Sequence, residues 1–217
     1  MSDIFQEVDE ELRAEKAQKL LKRYGGLLVL AAALVVAGVG GWQAWNWHEA
    51  KVNAGIAREF LTALEGAASP PGDARKAALL QLAAVANDGN AGYRTLARLR
   101  EAALKADTGD GAGAEALWTQ VAGDRAANPL LRDVAVLQSV LHQIDHGDPA
   151  VLGAKLKPLA APDNPWHALA QEAEALIDVR QGQTEAARGI LKQLAQDVTA
   201  PDGVRGQAND LLAQLGG

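Results

Sequence analysis

The stretch RQGQTEAARGILKQLAQ, Arg180 to Gln196, decides the fold of this chain. Gly182 interrupts two runs whose apolar residues recur at helical spacing, Ala170, Ala173 and Ile177 before it and Ala187, Leu191 and Leu194 after it. Spacings of three and four put each set on one helix face, and glycine between them lets the chain reverse. The pattern recurs upstream. Gly109-Asp110, Gly147-Asp148 and Gly182-Gln183 stand 38 and 35 residues apart, while Pro129, Pro165 and Pro201 stand 36 apart, the first two in Asn-Pro pairs. Two interruptions per period mean two helices per repeat.

The apolar sets keep register under these shifts. Tyr93, Leu96, Leu99 and Ala103 correspond to Leu131, Val134, Leu137 and Leu141, and those to His167, Ala170, Ala173 and Ile177. For the second helices, Leu152, Leu156 and Leu159 correspond to Ala187, Leu191 and Leu194. A face of this kind has no partner within its own helix, so each pair is expected to be covered by the next. Three repeats of helices 12 to 17 residues long are expected from about 90 to 201, closed by helices near 73–87 and 203–215. Composition agrees: 45 Ala and 30 Leu against 15 Val, 5 Ile and 6 Thr in 217 residues favour helix over sheet.

Upstream of the repeats the chemistry changes. Gly25 to Trp42 is eighteen residues without a charged or strongly polar side chain, and continued through Trp47 the run is 23 residues. As helix that is about 34 Å, enough for a hydrocarbon core of about 30 Å. Lys22, Arg23 and Tyr24 precede the run, and Trp42, Trp45 and Trp47 close it, as expected of membrane-interface anchors. A cleaved secretory signal would have a shorter apolar core and a small-residue cut site, whereas here the 24-residue leader carries six acids and three Trp occupy the cleavage zone. Five Lys and Arg in residues 1–24 against two in residues 48–67 place the N-terminus in the cytoplasm. The expected organisation is a cytoplasmic tail (1–24), one transmembrane helix (25–47) and a helical-repeat domain (48–217) on the far side, which in a bacterium is the periplasm. That helix is expected to run on through Val52, Ile56, Phe60 and Leu64.

The side chains of enzyme chemistry are scarce. There is no Cys, only Ser2, Ser69 and Ser139, and four His, which excludes disulfides, Cys-ligated metals and thiol nucleophiles. His142 and His146 have the i, i+4 spacing of metal ligands, but Gln143 stands where a zincin has its general base, and His suits the helix end at Gly147. GDGAG (109–113) lacks the Lys and Ser/Thr of a phosphate loop and reads as a turn. Residues 48–217 hold 16 Lys plus Arg against 21 Asp plus Glu, which disfavours nucleic acid. No catalytic, metal or cofactor residue is expected, nor a small-molecule substrate. Trp118 and Trp166, with Tyr93, read first as core, and as the aromatic residues best suited to hold a partner's apolar segment.

The two-helix period matches the tetratricopeptide pattern of about 34 residues with small insertions, giving an all-α chain, one transmembrane helix followed by a tetratricopeptide-like α-solenoid. The opening MSDIFQEVDEELR (1–13), the basic KLLKRYG (19–25) and the repeat DNPWHALAQEAEAL…RQGQTEAARGILKQLAQ (163–196) resemble a bacterial family, the tetratricopeptide-like ancillary subunits of the Sec translocon, over essentially the full length. The resemblance implies a single-pass inner-membrane protein beside the translocon that passes emerging proteins to periplasmic chaperones. Its implied partners are translocon subunits, a membrane-anchored periplasmic prolyl isomerase and nascent secretory proteins. A general scaffold for division or outer-membrane assembly is the alternative.

Overall fold

A computed structural model describes residues 3–216, with side chains among the first 32 residues described only at Lys22, Gly26, Leu27, Val29 and Leu30. Arg23 and Tyr24 of the expected interface, and Gly25, Leu28, Ala31 and Ala32 of the expected span, lie outside the described side chains. The described residues form helices and no strands: α1 (Asp3–Ala68), α2 (Asp73–Asp88), α3 (Ala91–Asp107), α4 (Gly111–Gly123), α5 (Pro129–Gln143), α6 (Pro149–Leu156), α7 (His167–Arg180), α8 (Thr184–Gln196) and α9 (Asp202–Gln214). Contacts divide the chain into two units, Met1–Ala54 and Gly55–Gly217.

In the first unit, α1 exposes large apolar side chains in every direction. Leu27, Val29, Leu30, Leu34, Val35, Val36 and Val39 are all more than half exposed, as are Trp42, Trp45 and Trp47. Successive helical residues point about 100° apart, so consecutive exposed positions such as Leu34, Val35 and Val36 leave no polar face. Among the described residues, no helix is long and apolar enough to cross a membrane.

In the second unit the helices stack in chain order. Each from α2 onward packs on the next, and α3 also meets α5, α5 meets α7 and α7 meets α9. The core is a chain of local clusters. Ile56, Ala63 and Ala67 of α1 join Ala78, Leu82 and Val85 of α2, Trp118 and Val121 of α4 join Ala102 and Ala135, Leu152 and Leu156 of α6 join Leu137, Val140 and Ala173, and Leu191 and Leu194 of α8 join Ala175 and Ala208.

Local chemistry explains the ends. Asn90, Asp110, Asn128 and Asp148 accept hydrogen bonds from backbone N–H groups of the first turns of α3, α4, α5 and α6. Gly109 and Gly182 take φ of +88° and +75°, the left-handed region that favours glycine, and close α3 and α7 alike. Gly109 N–H donates to Ala106 and Asp110 N–H to Lys105, as Gly182 N–H donates to Val179 and Gln183 N–H to Asp178.

Three expectations need correction. First, α6 has eight residues rather than twelve or more. Pro158 lacks the N–H that would continue the helix, and Leu159 reaches the core from a turn, 3% exposed. Second, the two Asn-Pro pairs differ. Asn128-Pro129 caps and opens α5, whereas Asn164 accepts from Trp166 N–H at 2.8 Å and donates to Asp133 of α5 at 2.9 Å, so α7 starts only at His167. Third, the faces expected to be covered on α3 and α5 stay partly open. Leu96 and Leu141 are 38% and 37% exposed, while the buried positions include Ala97, Ala102, Ala135 and Val140. Small side chains permit close approach between helices, so the larger leucines are displaced to the rim of the contact.

Candidate functional site

The first helices of the three hairpins, α3, α5 and α7, adjoin one another, and the turn-to-turn shifts of 38 and 35 align their positions. The step from α5 to α7 is 35 residues rather than the 36 expected for these helices, because the fully buried Ala135 and Val140 are matched by Ala170 and Ala175. Leu96, Val134 and Leu169 are then equivalent, as are Ala103, Leu141 and Leu176, and none of the six is fully buried. These residues supply an apolar stripe to neighbouring helices. Between them lies a third equivalent set, Leu99, Leu137 and Glu172. Glu172 therefore sits where the earlier hairpins place leucine. It is 5% exposed, its Oε1 has no hydrogen-bond partner, and burial raises its pKa above the usual 4.5.

A second feature lies among α4, α5 and α6. Trp118, Thr119, Ala122, Ala135, Val136, Ser139 and Lys155 line a cleft of about 140 Å³. Ser139 Oγ donates to Glu115 Oε1 at 2.9 Å and lies 3.2 Å from Lys155 Nζ, which is itself 3.4 Å from that carboxylate. Gln143 Nε2 donates to both the Ser139 carbonyl and its hydroxyl at 3.1 Å. A serine beside a lysine suggests a nucleophile and its base, but a general base must be a neutral amine. Here Lys155 is ion-paired with Glu115, and the serine, 4% exposed, donates its hydroxyl hydrogen bond to that carboxylate. The arrangement ties three helices together and is unsuited to acyl transfer.

The expected aromatic residues occupy three separate places. Trp118 is 3% exposed in the α4 core and stands 5.4 Å, ring to ring, from His142. By the same shifts it is equivalent to Leu156 and Leu191, the large buried residue of each second helix. Tyr93 packs edge-on against Phe60 at 5.9 Å. Trp166 is half-buried at the start of α7, its indole N–H donating to the Leu130 carbonyl at 3.2 Å. Extending the second-helix set one repeat upstream to Ala114, Trp118 and Val121 marks Trp118 as core from sequence alone. His142 and His146 stand 6.3 Å apart, ring to ring, and no group of three or more His, Cys, Asp and Glu suited to a metal occurs among the described residues.

One set of equivalent first-helix positions is polar: Glu101, Ser139 and Glu174, followed one turn later by Lys105, Gln143 and Asp178. Burial raises Glu101, and Lys105 and Arg98 oppose that shift. Burial also raises Glu174, and there the nearby Asp178 adds to the shift. The profile of the tetratricopeptide repeat-like domain family matches residues 2–205. No curated protein and no solved structure matches the chain.

Proposed function

The chain belongs to the tetratricopeptide repeat-like family, and from that premise we propose a membrane-anchored scaffold that binds other proteins through the apolar stripe of α3, α5 and α7. Domains of this family mediate protein–protein interactions and are typically non-catalytic. The observation that carries the reading is the row of apolar side chains incompletely covered on three adjoining helices, Leu96 and Leu141 exposed and Val134 and Leu176 half-buried. Exposed apolar surface of this kind marks an interaction site.

The anchor is residues 25–47, oriented with the N-terminus in the cytoplasm. Large apolar side chains exposed all round α1 support it, because a helix with no polar face needs lipid or other helices around it. Anchoring confines the stripe near a membrane complex and raises its effective concentration without high intrinsic affinity. The resemblance of MSDIFQEVDEELR, KLLKRYG and the 163–196 repeat favours the Sec translocon as that complex, with nascent secretory proteins and a periplasmic prolyl isomerase as the partners handled there. Photocrosslinkers at Leu96 and Leu141, with exposed Leu80 of α2 as the control position, test this in the living cell. The reading expects adducts with translocon subunits and newly exported chains from the first two positions only. Adducts confined to division or outer-membrane machinery would replace it with the alternative scaffold role.

A further inference from the structure

We propose that Lys51, held over the indole of Trp47, engages the lipid phosphates of the leaflet on the C-terminal side and so fixes the depth of the helix, an inference that rests on reading residues 25–47 as a membrane span. The Lys51 ammonium lies 4.4 Å from the Trp47 ring centroid, one helical turn along, where the ring's negative face attracts it. Trp42, Trp45 and Trp47 are 67%, 72% and 63% exposed, a belt whose amphipathic rings suit headgroup depth.

Hydropathy alone leaves this end of the span undefined. Gln43, Asn46 and His48 alternate with the tryptophans, so the boundary could fall anywhere over about six residues, or about 9 Å of helix. Charge defines it. No Lys, Arg, Asp or Glu occurs between Arg23 and Glu49. Glu49 lies about 200° round the helix from Lys51, so the lysine can face phosphate without the acid between them. Lys22, exposed at the other end, precedes Lys51 by 29 residues within the same helix. That is about 43 Å, matching the roughly 40–45 Å of a bilayer with its headgroups. Both ammonium groups reach their phosphate planes along flexible stems while the apolar run stays in the hydrocarbon.

The chain has no cysteine, so Ala50→Cys and, separately, Val36→Cys each provide one nitroxide site in the full-length protein. The probe is a nanodisc of phosphatidylcholine and phosphatidylglycerol, and the readout is label depth from oxygen and nickel accessibility. The expected result is a label near midplane at position 36 and at headgroup depth at position 50. K51A then moves the position-50 label by about 3 Å or more, the rise of two residues, and K51R restores it. A midplane label at 36 with no shift in K51A overturns the role of Lys51 alone. A water-exposed label at 36 overturns the span and this proposal with it.

Discussion

The hairpins α5–α6 and α7–α8 share a repeat yet solve its packing differently. In α7–α8, Gly182 turns the chain with left-handed geometry and α8 runs for thirteen residues. In α5–α6 the helix ends at Gln143, Gly147 needs no left-handed φ, and α6 stops after eight residues at Pro158. The second turn is instead closed from outside: Arg180 of α7 donates to the carbonyls of Ile144 and Gly147, both at 2.5 Å. The polar positions diverge in parallel. Ser139 is neutral and bonded to Glu115 and Lys155, and Gln143 is neutral and donates to Ser139, whereas their equivalents Glu174 and Asp178 are both carboxylates with pKa values raised by burial. A repeat thus preserves its apolar contacts and lets its polar ones drift.

If the shared apolar positions carry the fold, Trp118→Ala and Leu191→Ala should have the largest effects, each destabilising by about 3–5 kcal/mol. Urea unfolding of the full chain in detergent, followed by circular dichroism, checks this, and a loss below about 1 kcal/mol at either position would break the equivalence. Arg180→Ala should cost about 2 kcal/mol, because two carbonyls lose a charged donor. The loss should show in the same unfolding curves, with hydrogen exchange rising first at the end of α5.

Glu172→Leu should stabilise by about 1 kcal/mol at neutral pH, since it replaces a buried acid with the residue found at Leu99 and Leu137. The sign with pH follows from the raised pKa. Protonated Glu172 has no charge to desolvate, so its contribution is intact below the usual 4.5 and is lost as pH rises through the higher folded value. Glu172→Gln should therefore gain over the native chain as pH rises above that range and converge with it in acid. Thermal midpoints across the pH series decide the matter, and parallel curves would show that the carboxyl is not desolvated. The smallest effect contrasts the turns: Gly182→Ala should cost about 1 kcal/mol and Gly182→Asn less. An equal loss in both variants, by thermal midpoint, would mean that something other than backbone conformation sets the cost.

Much of this was legible in residues. The Gly109, Gly147 and Gly182 spacing marks the hairpins, Asn128-Pro129 marks a helix start, and the Leu152, Leu156 and Leu159 set is buried as its register implies. Pro158 was readable as a stop and outweighs that register, since a missing N–H cannot be restored by apolar spacing. The open stripe was less legible. Leu96 and Leu141 keep the same helical spacing as core residues, yet Ala97 and Ala135 beside them on α3 and α5 are the buried positions.

By itself, the sequence determined the elements and their order, because hydrophobic period, capping residues and turn glycines act within a few residues of chain. Tertiary structure alone decided which face of each first helix is covered, that Glu172 is buried among apolar positions, and that Arg180 closes a turn 33 residues away. Those outcomes depend on how near two helices come, and that distance is set jointly by side chains on both of them.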